Sequence, residues 1–97
     1  MLISFTAPLW LWNGKAAWHF VTLPADQSGM IRMAVPKKAG FGSVKVKATI
    51  GGSSWRTSIF PDSKTGTYLL PVKGEVRKAE GLASGDTLSI TLSLDAG

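Results

Sequence analysis

Lys73 and Arg77 stand four residues apart in LLPVKGEVRKAEGL, where Val72, Val76 and Ala79 recur at helical spacing and Gly81 supplies a stop. Like charges at i, i+4 on a helix repel by about 0.2–0.5 kcal/mol, and a cation in the first turn opposes the helix dipole. An anion held there removes both penalties. Arg56 and Ser58 alternate in SSWRTSIF and so share one strand face, adding donors, while Trp18 and Trp55 are candidate apolar walls. The chemistry these residue types predict is non-covalent binding of a small anionic or polar ligand. A plainer reading pairs Arg77 with Glu80 or Asp86 and leaves Lys73 solvated.

Other chemistries lack their parts. The 97-residue chain has one histidine and no cysteine, so it offers no thiolate site, catalytic thiol or disulfide framework. A lone His19 builds no metal cluster, and no metal or cofactor is expected. Ser58 lies in no Gly-x-Ser-x-Gly motif, and GFGSV leads into a strand instead of a helix, unlike a dinucleotide fingerprint. The chain leans away from enzymes. An enzyme alternative needs Ser58, His19 or an acid gathered beside Lys73 and Arg77.

The formal charge of +5 favours anionic partners. Lys45 and Lys47 share a strand face, with Lys37 and Lys38 upstream; together they carry a nucleic-acid alternative that is not favoured. The same lysines equally suit a guarded edge strand or plain solubility. Four tryptophans and Tyr68 are a large aromatic load for this length. Buried, they close a small barrel; if Trp10 and Trp12 are exposed together, they mark a partner or dimer surface, which is the remaining alternative of a structural partner-binding domain. No run is long and apolar enough for a membrane helix, and the apolar start lacks a signal peptide's basic region. A cytoplasmic protein, monomer or homodimer, is expected.

The elements that must place these residues read as strands. SVKVKATI (43–50) and DTLSITLSL (86–94) alternate apolar and polar residues, the mark of a half-buried strand. ISFTAPLWLW (3–12) and KAAWHFVTL (15–23) flank Asn13-Gly14, which predicts a two-residue type I′ hairpin turn. SSWRTSIF (53–60) and TYLL (67–70) flank a longer turn containing Asp62 and Gly66. Two short helices are expected, over 25–35 and 72–82. Each half then reads β-β-α-β, aligned by Leu23-Pro24 with Leu70-Pro71 and by Gly42-Ser43 with Gly85-Asp86. Three strands bury one face poorly alone, whereas two halves related by a pseudo-two-fold close a six-stranded barrel. The expected fold is thus one all-β domain over residues 1–97 with two short helices, of cradle-loop or double-psi type.

Trp18, GFGSVKVKATIGG (40–52), WRTSIFPD (55–62), YLLPVK (68–73), VRKAEG (76–81) and GDTLSITLSLD (85–95) together resemble the bacterial domain of unknown function 1905. The resemblance spans about Phe5 to Asp95 and implies a small β-barrel with no established activity. LLPVKGEVRKAEGLASGDTLSI is also similar to the repeating unit of swapped-hairpin transition-state regulators, with Pro71, Arg77, Gly85 and Asp86 in the matching places. That local likeness implies kinship of barrels more than DNA binding.

Overall fold

The computed structural model describes residues 1–14, 17–35 and 42–94. Its elements are β1 (Leu2–Asn13), β2 (Ala17–Thr22), α1 (Ala25–Ala34), β3 (Val44–Ile50), β4 (Ser53–Asp62), β5 (Thr67–Pro71), α2 (Gly74–Glu80) and β6 (Thr87–Leu94). The six strands close a barrel in the order β1-β2-β5-β4-β3-β6, and each neighbouring pair is antiparallel. One chain supplies all six strands. The alternation seen in sequence is the alternation of burial: Val46, Ala48, Ile50, Leu88, Ile90, Leu92 and Leu94 point inward with Ile3, Phe5, Ala7 and Leu9 of β1. Each valine, leucine, isoleucine or phenylalanine among them contributes about 1.5–3 kcal/mol on leaving water.

The β-β-α-β order recurs in the two halves, and exchanging them leaves the pairing unchanged. The pair β1–β2 becomes β4–β5, β1–β6 becomes β4–β3, and β2–β5 and β3–β6 map onto themselves. Between β2 and β5 the ladder centres on Val21 opposite Leu70. At one end the Leu23 N–H donates to the Tyr68 carbonyl, and at the other the Val72 N–H donates to the His19 carbonyl, both at 2.9 Å. Leu23 therefore corresponds to Val72, and Pro24, the N-cap of α1, to Lys73, the N-cap of α2. The two Leu-Pro pairs that align the halves in sequence are out of step in space. Pro71 is the last residue of β5, whereas Pro24 already stands at a helix.

The hairpin between β1 and β2 forms, but not with a type I′ turn at Asn13-Gly14. Asn13 pairs with Ala17, so the register is not that of a two-residue turn, and no non-glycine residue among those described has positive φ. The barrel decides this register. A two-residue turn would pair Trp12 with residue 15 and shift β2 by an odd number of positions, sending Val21 outward and Trp18 and Phe20 inward. The observed pairs Leu9↔Val21, Trp10↔Phe20 and Trp12↔Trp18 keep the aliphatic residues inside. Gly14 has a different use: a Cβ there would overlap the Trp12 indole, which lies against it.

β3 is not an edge strand. It pairs with β4 over its whole length and with β6 from Val46 to Ile50. Edge protection therefore does not account for Lys45 and Lys47, which stand on its outer face. The turn after β4 is as its residues suggest, with the Asp62 carboxylate accepting the Lys64 N–H at 3.0 Å and Gly66 at φ 72°. In α1, a Cβ added at Gly29 meets nothing within 4 Å. Gly29→Ala is accordingly expected to stabilise the protein by about 0.4–1 kcal/mol, since alanine loses less backbone entropy in a helix. A raised urea midpoint with an unchanged slope would show it.

A cationic cleft where β5 ends

β5 has 5 residues and its neighbour β4 has 10. β4 pairs with β5 only from Phe60 to Asp62, so Trp55, Arg56 and Thr57 have β3 on one side and no strand on the other. β2 likewise pairs with β5 only from Phe20 to Thr22, and Ala17 to His19 run on past the end of β5. The chain turns there into α2. What remains between β2, β4 and the start of α2 is a cleft of about 320 Å³. Its lining includes Trp18, His19, Trp55, Arg56, Thr57, Lys73 and Arg77, and no carboxylate among the described residues.

Five of the six residues singled out for ligand binding thus lie around one recess, although they come from three separate elements. Trp55 is buried and presents only part of its ring; Trp18 is half exposed. Ser58 is the exception. It faces outward opposite Lys45 in the β3–β4 pair and does not line the cleft. Lys45 and Lys47 lie on the outer face of β3, and Lys37 and Lys38 fall outside the described residues.

Lys73 and Arg77 are not neutralised by Glu80 or Asp86. The Glu80 carboxylate accepts the Gly52 N–H at 3.3 Å and the Ser53 hydroxyl at 2.6 Å, tying α2 to the β3–β4 turn. Asp86 accepts the Ala83 N–H at 2.8 Å within its own turn. The expected pairing of Arg77 with Glu80 or Asp86 is therefore replaced by a hydrogen bond from Arg77 Nε to the Val72 carbonyl at 3.3 Å. The Lys73 ammonium makes no hydrogen bond or ion pair among the described residues.

His19 joins the cleft with Lys73 and Arg77, as the enzyme alternative requires of it, whereas Ser58 stays outside. Its Nδ1 is buried without a hydrogen-bond partner among the described residues. Burial, and then the positive charge of Arg77, hold its pKa below the ordinary value of 6.5. The unfolded chain binds this proton more readily, so the stability contributed by neutral His19 is complete above pH 6.5 and is lost as pH falls toward the lowered folded pKa. Urea midpoints measured from pH 7.5 down to pH 5 should fall less steeply for His19→Gln than for the parent chain. Equal slopes would contradict this assignment.

Exchange of the halves shows what the other end of the ladder holds at the same places. Lys73 corresponds to Pro24, Arg77 to Ser28 as the fourth residue of its helix, and His19 to Tyr68. At the α1 end Ser28 and Tyr68 are buried, and the Ser28 hydroxyl sits between two backbone groups, accepting the Tyr68 N–H at 3.1 Å and donating to the Leu23 carbonyl at 3.4 Å. The same backbone plan is thus closed with neutral groups at one end and left open and cationic at the other.

Outside the cleft, the hairpin carries a row of aromatic rings on its outer face. Trp10 packs on Phe20 at 5.2 Å, and Trp18 stacks on Phe20 at 6.0 Å with planes 12° apart. Of the aromatics, Trp55 and Tyr68 serve the core; Trp12 and Trp18 are 48% and 50% exposed. Among the described residues no group of acids and histidine could hold a metal ion, and no helix is long and apolar enough to cross a membrane.

Fold and site together define a closed six-stranded barrel of two like halves, with one cationic cleft at the second helix. The chain belongs to the family described as domain of unknown function 1905 (DUF1905), whose model matches residues 5–92. No curated protein matches the chain.

Proposed function

We propose that the cleft at α2 is a non-enzymatic binding site for a small anionic ligand. The observation that carries this reading is the asymmetry between the halves: Lys73, Arg77 and His19 occupy positions whose counterparts Pro24, Ser28 and Tyr68 are neutral and close the α1 end. The barrel can be built without those side chains, so the cations Lys73 and Arg77, beside a recess with no carboxylate among its described lining residues, call for a partner charge. Lys73 and Arg77 are the donors, Arg56 stands on the opposite wall, and Trp18 and Trp55 provide apolar sides. At about 320 Å³ the recess is at the small end of ligand pockets, which suits a phosphoryl-sized group with a short attachment.

Thermal unfolding with inorganic phosphate and with pyrophosphate, against sodium chloride at matched ionic strength, tests this. A ligand at about 100 times its Kd stabilises by about 2.7 kcal/mol, or roughly 10–20 °C in Tm for a domain of this size. Lys73→Gln, which breaks no internal hydrogen bond, should remove most of that shift, and Lys73→Gln with Arg77→Gln all of it. An equal shift in the parent and both variants, or none with either anion, rules the site out.

A further inference from the structure

The outer surface is more than a cleft. Trp10, Trp12, Trp18 and Phe20 stand side by side on the exposed face of the β1–β2 hairpin, in the cross-strand pairs Trp10↔Phe20 and Trp12↔Trp18. Trp10, Trp18 and Phe20 are held by mutual packing and by a hydrogen bond from Trp10 Nε1 to the Thr22 hydroxyl at 2.9 Å, and the Trp12 indole lies against Gly14. The row meets the cleft at Trp18, which belongs to both. Beyond the cleft, Arg56 on β4 lies opposite Lys47 on β3, with Lys45 on the same outer face. Ring row, cationic recess and lysine stripe therefore follow one another around the barrel.

Each feature alone is unselective. Their contiguity asks for a ligand in which flat apolar rings alternate with negative charge, which is the chemistry of single-stranded nucleic acid: bases stack on exposed indoles while the backbone follows cations. A duplex keeps its bases stacked on one another and has none to offer. A second copy of this chain would bring one +5 charge against another. An anionic lipid surface would favour cations spread over a protruding face, whereas Lys73 and Arg77 line a recess. We propose that this face binds single-stranded nucleic acid, with bases on Trp12 and Trp18 and a backbone phosphate at Lys73 and Arg77. The proposal rests on the anion site above and names its ligand class.

The test uses the full chain and a labelled twelve-residue oligothymidylate, its duplex with oligoadenylate, thymidine monophosphate, and vesicles containing phosphatidylserine. The single strand is expected to bind with quenching of tryptophan fluorescence, to weaken linearly in log Kd against log salt, and to bind at least about tenfold tighter than the duplex or the mononucleotide. Trp12→Ala and Trp18→Ala should each weaken it by about tenfold or more, Trp18→Phe should retain most of the binding because a ring remains, and Lys73→Gln should reduce both affinity and salt slope. Far-ultraviolet circular dichroism and Tm of each variant establish that it folds.

Absence of single-strand binding at low salt overturns the proposal. So does equal binding of duplex, indifference to both alanine variants, indifference to Lys73→Gln, or binding of vesicles with no binding of oligonucleotide. The two readings fail separately. A phosphate-induced Tm shift that depends on Lys73, together with no oligonucleotide binding, leaves the anion site standing and removes the nucleic acid.

Discussion

Leu92→Ala is expected to destabilise the protein by about 3–5 kcal/mol, the upper part of the range for a buried leucine. Leu92 is 0% exposed and lies in the middle of β6, opposite Ile3 of β1 on one side and Ala48 of β3 on the other. The Ala48 side chain is too short to reach into the space a missing isobutyl group leaves, and the closed sheet cannot collapse inward without breaking its pairing. The cavity term therefore adds to the lost transfer free energy. Against a total stability of about 5–15 kcal/mol for a small domain, and at about 4–8 °C per kcal/mol, the Tm should fall by roughly 12–40 °C. Leu11→Ala, at a residue 38% exposed on the hairpin, should change it little. Urea unfolding of the two variants measures the contrast, and similar losses would contradict the assigned core.

The second large effect belongs to a polar residue. Ser28→Ala is expected to cost about 1–3 kcal/mol, more than its size suggests, because the Ser28 hydroxyl stands in the β2–β5 ladder as a relay. The Tyr68 N–H donates to it at 3.1 Å and it donates on to the Leu23 carbonyl at 3.4 Å, where a direct backbone bond would otherwise close the pair. Only one bond of that pair is direct, from the Leu23 N–H to the Tyr68 carbonyl at 2.9 Å. Alanine leaves a buried N–H with no acceptor. Denaturant unfolding measures the loss, and hydrogen exchange locates it: the Tyr68 amide should be strongly protected in the parent and should lose much more protection than amides of β3 and β6 in the variant. Unchanged exchange at Tyr68 would contradict the relay.

The two ends of this one ladder explain why the chemistry of the protein is lopsided. At the α1 end a neutral hydroxyl serves the backbone and the space is filled. At the α2 end Arg77 serves the Val72 carbonyl with one nitrogen of a group that carries more donors than the fold uses. The two halves thus keep one strand plan while one end spends its side chain on the backbone and the other retains spare donors.

Much of this was legible in the residues. Alternation in SVKVKATI and DTLSITLSL marks β3 and β6, because period two has only one structural meaning when one face must be dry. The spacing of VKGEVRKAEG and its closing glycine mark α2, and Gly81 ends it at φ 64°. Of the six residues whose chemistry suggests a ligand site, the fold brings Trp18, Trp55, Arg56, Lys73 and Arg77 to one cleft and leaves Ser58 outside it. Other details were out of reach. Ser28 in ADQSGMIRMAV looks like any helical serine, since nothing local tells which helix face meets the ladder. Asn13-Gly14 looks like a tight turn, but the choice of which residues of β2 face the core overrules the local turn preference. His19 carries no motif at all.

The amino-acid sequence by itself determined the strands, the two helices, the repeated β-β-α-β order and the membership of residues 5–92 in the DUF1905 family. The elements and their order follow from periodicity and turn chemistry, which act over a few residues, and the membership from the match of residues 5–92 to the family model. Only the tertiary structure decided the hairpin register, the true correspondence of Leu23 with Val72, the exposure of the Trp12 and Trp18 rings, and the opening at the end of β5 that gathers residues from β2, β4 and α2. Each of these depends on which distant strands meet and where one stops short, and barrel closure sets that for all six strands at once.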